Sequence, residues 1–116
     1  MHWGVNRLYE DYLEMLHQEK LDVICIATWT NLHASMVMDA ARSGVKAIFC
    51  EKPIALNPND GRKMVRFCKK KNVPLIINHE RRWDSYYLKA KQIITAGRIG
   101  EIRTIVGNTL SSKPGK

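Results

Sequence analysis

Three short apolar runs, separated by amphipathic segments, constrain the fold of this chain more than any other feature. Val23–Ala27, Ala47–Cys50 and Val73–Ile77 are continuous rather than alternating, the pattern of strands whose two faces are both covered. Helical spacing fills the intervals. Tyr9, Tyr12, Leu13 and Leu16 predict an amphipathic helix over Tyr9–Glu19. Asn31 is the expected N-cap of a second helix, with Met36, Val37, Ala40 and Ala41 as its apolar face and Gly44 as its terminator. Asn57-Pro58 opens a third, because proline at a first helical position sacrifices no needed donor. It should run to about Lys71. Pro74 is tolerable in the third strand only near its start. Strand, helix, strand, helix, strand with short connections predicts an α/β fold with a parallel sheet and crossover helices.

The texture changes after Asn78. His79-Glu80-Arg81-Arg82-Trp83-Asp84 is polar and aromatic, and a fourth helix is expected over Ser85–Ala96 with Tyr86, Ala90, Ile93 and Ile94 on one face and Gly97 as its stop. Glu101–Leu110 reads as a strand of mixed polarity. At 116 residues the chain can bury one ordinary core. No apolar run reaches membrane-spanning length and the N-terminus has no signal-peptide pattern, so no membrane partner is expected and a cytoplasmic setting is. The three cysteines show no CxxC spacing, which argues against a disulfide framework or a zinc site. His79-Glu80 lacks the second histidine of a metalloprotease helix, and no metal is expected.

The formal net charge of +8 raises the question of nucleic acid. Its densest part, Arg62, Lys63, Arg66 and Lys69–Lys71, spreads around a helix and leaves Met64, Val65 and Cys68 as an apolar stripe. No aromatic residues interleave with these cations to stack on bases. The preferred reading is a solvated helix back with a cationic last turn, and no nucleic-acid partner. A basic nucleic-acid module would instead show steeply salt-dependent binding.

Glu51-Lys52-Pro53 stands directly after the second apolar run. In an open α/β sheet, ligands bind outside the carboxyl ends of the strands. A partly dehydrated lysine held there is a candidate proton-transfer group, and proline stiffens the turn that aims it. There is no GxGxxG turn in the chain. Gly97-Arg98-Ile99-Gly100 follows a helix rather than a strand, so it reads as a helix stop.

Taken in order, the motifs resemble the Gfo/Idh/MocA family of nicotinamide-dependent oxidoreductases. Ala27-Thr28-Trp29-Thr30-Asn31-Leu32-His33 is similar to the family's A-T-P-x-x-x-H loop, with Trp29 where most members have proline. Glu51-Lys52-Pro53 matches its E-K-P signature, Arg81-Arg82-Trp83-Asp84 its R-R-[FYW]-D segment, and Gly100-Glu101-Ile102-Arg103 the G-E-[IVP] start of its second domain. The resemblance runs from about Gly4 to Leu110.

It implies the C-terminal half of a Rossmann-type doubly wound parallel sheet, plus the first helix and strand of an α+β substrate domain. Residues 1–80 would be a partial dinucleotide-binding domain and residues 81–116 the start of a substrate and oligomerisation domain. With strand order 3-2-1-4-5-6, the third strand would lie around Val5 and Val23–Ala27 would carry an unpaired apolar edge. The resemblance further implies Lys52 as the catalytic residue, bonded to the substrate hydroxyl. It assigns NAD or NADP as cofactor, approached by Thr28, Trp29, His33, Glu51, Pro53 and Arg81. Alternatively His33 is a residue in a helix turn, and Trp83 is either part of the site's rim or an anchor of the inter-domain joint. The implied activity is oxidation of a secondary hydroxyl on a sugar, inositol or related polyol, in a protein that is a homo-oligomer when complete. On this reading the chain is an internal, inactive piece of the enzyme. The alternative is a non-catalytic dinucleotide-sensing regulator of the same fold.

Overall fold

The computed structural model describes residues 4–108, which fall into two compact units with the boundary between His79 and Glu80. The first unit alternates α1 (Tyr12–Gln18), β1 (Val23–Ile26), α2 (Thr30–Ser43), β2 (Ala47–Glu51), α3 (Pro58–Lys71) and β3 (Leu75–Asn78). The strands form one parallel sheet in the order β1-β2-β3, the α/β arrangement that the apolar runs predict. Ile24, Ile48 and Leu75 stand side by side in register, as do Ile26, Cys50 and Ile77. These two rows face the helices. Ile24, Ile26, Ile48 and Cys50 form one core with Val37, Ala40 and Ala41 of α2 and Met64 and Cys68 of α3.

Local chemistry explains most of the boundaries. The Asn57 side chain accepts from the Asp60 N–H and Pro58 sits in the first turn of α3, as the sequence predicts. Gly44 ends α2 at φ +91°, a left-handed conformation that a Cβ would disfavour. Pro74 lies just ahead of β3, where its carbonyl accepts from Ile48 N–H and its missing donor costs nothing.

Four expectations are corrected. Helix α1 starts at Tyr12 rather than Tyr9, because the Asp11 carboxylate caps it by accepting from Leu13 N–H at 2.8 Å. The N-cap of α2 is Trp29, not Asn31, and its side chain makes no cap bond. Val65 lies outside the buried stripe of α3, which runs Gly61, Met64, Cys68 at i, i+3, i+7. No strand forms around Val5: in the expected strand order that position is two strands removed from β1, and no intervening strand is present among the described residues to pair it.

The two faces of the sheet also differ. Cys25, Phe49 and Ile76 form a row opposite the helix-covered one; Cys25 and Ile76 are exposed and Phe49 is half-buried. With Val23 also exposed, β1 presents apolar side chains and a backbone edge that no strand pairs among the described residues. Val23→Lys is therefore expected to reduce concentration-dependent self-association in sedimentation velocity. An unchanged distribution of species would show that the edge of β1 takes no part in it.

The second unit consists of a 3-10 turn, Glu80–Trp83, and α4 (Ser85–Thr95), capped by Asp84, whose carboxylate accepts from Tyr86 N–H. Gly97 follows at φ +68°, the expected stop. None of its helical residues is buried. The strand expected over Glu101–Leu110 is not formed in residues 101–108, and the last two positions lie outside the described residues. A strand exists only through a backbone partner, and the described part of this unit offers none. No helix among the described residues is long and apolar enough to cross a membrane.

Candidate functional site

Parallel pairing brings the ends of all three strands to the same edge of the sheet. The loop after β1 carries Thr28 and Trp29, β2 ends in Glu51 followed by Lys52 and Pro53, and β3 ends in Asn78. Glu51 and Asn78 are partners in register. The Glu51 carboxylate accepts from the Asn78 amide at 2.7 Å through one oxygen and from the Lys52 N–H at 3.2 Å through the other. A half-buried carboxylate is thus fixed in place, and it orients the peptide that carries Lys52. Lys52 itself is exposed, and the Lys52–Pro53 peptide is cis.

His33 joins the other two loops. It is wholly buried, with Nδ1 2.8 Å from the Pro53 carbonyl oxygen and Nε2 3.1 Å from the Thr28 carbonyl oxygen. Thr28 Oγ1 donates to Met36 Sδ at 3.3 Å, which ties the same loop to α2. Trp29 is 83% exposed beside the first turn of α2. That turn has no acidic residue and no side-chain cap, whereas α1, α3 and α4 are capped by Asp11, Asn57 and Asp84. Uncapped N–H groups and a positive dipole end at the carboxyl edge of a parallel sheet suit a phosphate-bearing ligand, and an exposed indole suits a flat one.

Thr28, His33, Glu51, Lys52 and Pro53 are therefore gathered at one end of the first unit. Arg81 belongs to the second unit, where it lines a cavity with Arg82, Trp83, Tyr87, Leu88 and Lys91. Sequence reasoning missed Asn78. Its only signal is its place at the end of a strand, and its significance depends on register with Glu51.

Cys50 adjoins the site but is chemically quiet. Burial, with the charge of neighbouring Glu51, pushes its thiol up to about 11, so it remains protonated and non-nucleophilic. Among the described residues no three metal-ligating side chains converge.

A family model described as an oxidoreductase family with an NAD-binding Rossmann fold matches residues 2–79. Over 98 residues the chain is 41% identical to D-apiose dehydrogenase of Paraburkholderia graminis, covering 84% of this chain and 26% of that protein. It is 34% identical to myo-inositol 2-dehydrogenase of Thermotoga maritima over 98 residues, covering 84% and 29%. Its backbone is similar to that of an oxidoreductase from Agrobacterium radiobacter solved with NAD+, L-tartaric acid and magnesium. The TM-score is 0.82 at 31% identity, over 86% of this chain and 29% of that one. The chain thus spans between a quarter and three-tenths of the length of these relatives. The match over residues 2–79 agrees with a parallel sheet that gathers the E-K-P and A-T-W loops at one edge, and the chain belongs to the Gfo/Idh/MocA family of oxidoreductases, which has an NAD-binding Rossmann fold.

Proposed function

We propose that this chain contributes one side of a nicotinamide-nucleotide site in a dehydrogenase that oxidises a secondary hydroxyl of a sugar, inositol or related polyol. The observation that carries this reading is Lys52 at the carboxyl edge of the sheet, next to a glutamate fixed by Asn78. In this reading residues 1–80 belong to the dinucleotide-binding domain and residues 81–116 to the substrate domain. When bound, the nicotinamide supplies the hydride acceptor. Everything else falls to the protein.

Lys52 bonds the substrate hydroxyl and receives or relays its proton as the carbonyl forms. Glu51 lies beside the nicotinamide ribose, its carboxylate held by Asn78 so that it does not reorganise during the reaction. Thr28 and Trp29 border the nucleotide along the first turn of α2, where the helix dipole favours its phosphates. Pro53 shapes the loop. Names of relatives support the substrate class, since both dehydrogenases above act on a sugar or an inositol by name.

Titration of the 15N-labelled chain with NAD+ and, separately, NADP+ tests the reading. The expected result is weak binding that shifts the amides of Thr28, Trp29, Glu51 and Lys52. Shifts confined to other regions would remove the site from this edge. Affinity should be weaker than about 1 μM, because the chain has no glycine-rich turn to hold the pyrophosphate. Submicromolar binding by isothermal titration would overturn the expectation that this edge alone binds the nucleotide weakly.

A further inference from the structure

Gly61 stands inside α3, where a glycine weakens a helix and needs a reason. Its conformation supplies none, because its φ lies outside the left-handed region. Packing within the chain supplies none either. A Cβ there would meet the Ile54 side chain at 3.7 and 3.9 Å, an ordinary contact. What the missing side chain leaves open is the floor of a cavity of about 710 Å³, walled by Ile54, Leu56 and Val65. Small-molecule sites have volumes of ~300–1,000 Å³. Leu56 is 73% and Val65 52% exposed, so the cavity presents apolar surface to solvent.

The charged groups at this cavity are of one sign. Arg62 and Arg66 line it, one helical turn apart on α3, and no acidic side chain does. Asp60, the acid nearest them in sequence, is already engaged. One of its oxygens accepts from the Asn57 amide at 2.7 Å and the other from Lys63 Nζ at 3.1 Å. Arg62 gives one N–H to Asn59 Oδ1 at 2.6 Å, and Arg66 makes no hydrogen bond or ion pair among the described residues. Guanidinium donors left open beside an apolar floor suit a carboxylate carried on an aliphatic body.

We propose that the cavity on α3 binds a small amphiphilic carboxylate, its chain over Gly61 between Leu56 and Val65 and its head on Arg62 and Arg66. The cavity begins at Ile54, two residues beyond Lys52, but Thr28, Glu51 and Lys52 do not line it. The site is separate from the nucleotide edge and does not depend on the dinucleotide reading.

Decanoate, kept below its micellar concentration, is the probe, titrated into the 15N-labelled chain. The amides of Ile54, Leu56, Gly61 and Val65 should shift, with a dissociation constant of about 1 mM or tighter for a ligand of this size. Decyltrimethylammonium, with the same chain length and the opposite charge, should bind at least about tenfold more weakly. Arg62→Gln with Arg66→Gln, both at exposed positions, should weaken decanoate binding about tenfold or more. Lys69→Gln with Lys70→Gln removes the same charge outside the cavity and should leave binding unchanged. Gly61→Leu fills the floor and should abolish binding while circular dichroism shows the helix retained. Equal affinity for the two amphiphiles, equal losses from the two charge variants, or shifts spread to exposed Val23 and Ile76 would overturn the proposal in favour of nonspecific adsorption. Shifts of the same amides with chain concentration, without probe, would place a second copy in the cavity and also overturn it. The two charge variants decide the matter if Gly61→Leu fails to fold.

Discussion

Ile48→Asp is expected to abolish the cooperative unfolding transition of the first unit. Ile48 is 0% exposed in the middle of the central strand, paired on one side with Ile24 and on the other with Leu75, beneath α2 and α3. A carboxylate there would be buried with no cation within the core to pair it, and isolated buried charge is among the most destabilising changes a fold meets. The milder Ile48→Ala separates charge from packing. Truncation at such a site costs about 2–5 kcal/mol, against roughly 5–15 kcal/mol for a whole domain. For a unit of this size the thermal midpoint should drop by roughly 10 °C or more. Circular dichroism melts of the three proteins measure both effects. A midpoint for Ile48→Ala within the error of the parent would mean that β2 is not the centre of the core.

Lys52→Met should produce the largest functional loss. The test needs a complete active site, and a chimera provides one: the matched 98 residues of the Paraburkholderia dehydrogenase replaced by those of this chain. Once the parental chimera turns over substrate, the variant should lose about 10²- to 10⁴-fold in kcat, the range of a general acid–base group. Nucleotide affinity should change little, because methionine keeps most of the stem while removing the amine. A loss below about threefold would assign proton transfer elsewhere and leave Lys52 a surface residue. Asn78→Ala distinguishes support from chemistry. It frees the Glu51 carboxylate without touching the amine, so its effect should be smaller and should fall on nucleotide affinity.

Elements whose cause is local were legible in the sequence. The apolar runs gave all three strands to within two residues, Asn57-Pro58 gave the start of α3, and Gly44 gave the end of α2, because burial patterning, capping and left-handed φ each act over a few residues. The first turn of α1 was misplaced for an equally local reason: Asp11 outbids Tyr9 as the start once its side chain caps Leu13. The strand expected after Gly100 failed differently. Its apolar residues are real, but a strand is a relation between two segments and its partner is not among the described residues.

The candidate site divides along the same line. Residue types and order sufficed to mark Glu51-Lys52-Pro53 and the loop through His33 as belonging to this family. They could not show that Glu51 is held by Asn78, 27 residues away, or that His33 spans two carbonyls 5 and 20 residues away. Nor could they show that one face of the sheet is covered by α2 and α3 while Val23, Cys25 and Ile76 remain open on the other. The amino-acid sequence by itself determined the parallel α/β frame and the residue types at its edge, since those follow from patterns written along a few consecutive residues. Only the tertiary structure decided which groups meet, because strand register and helix packing set distances between residues far apart in the chain.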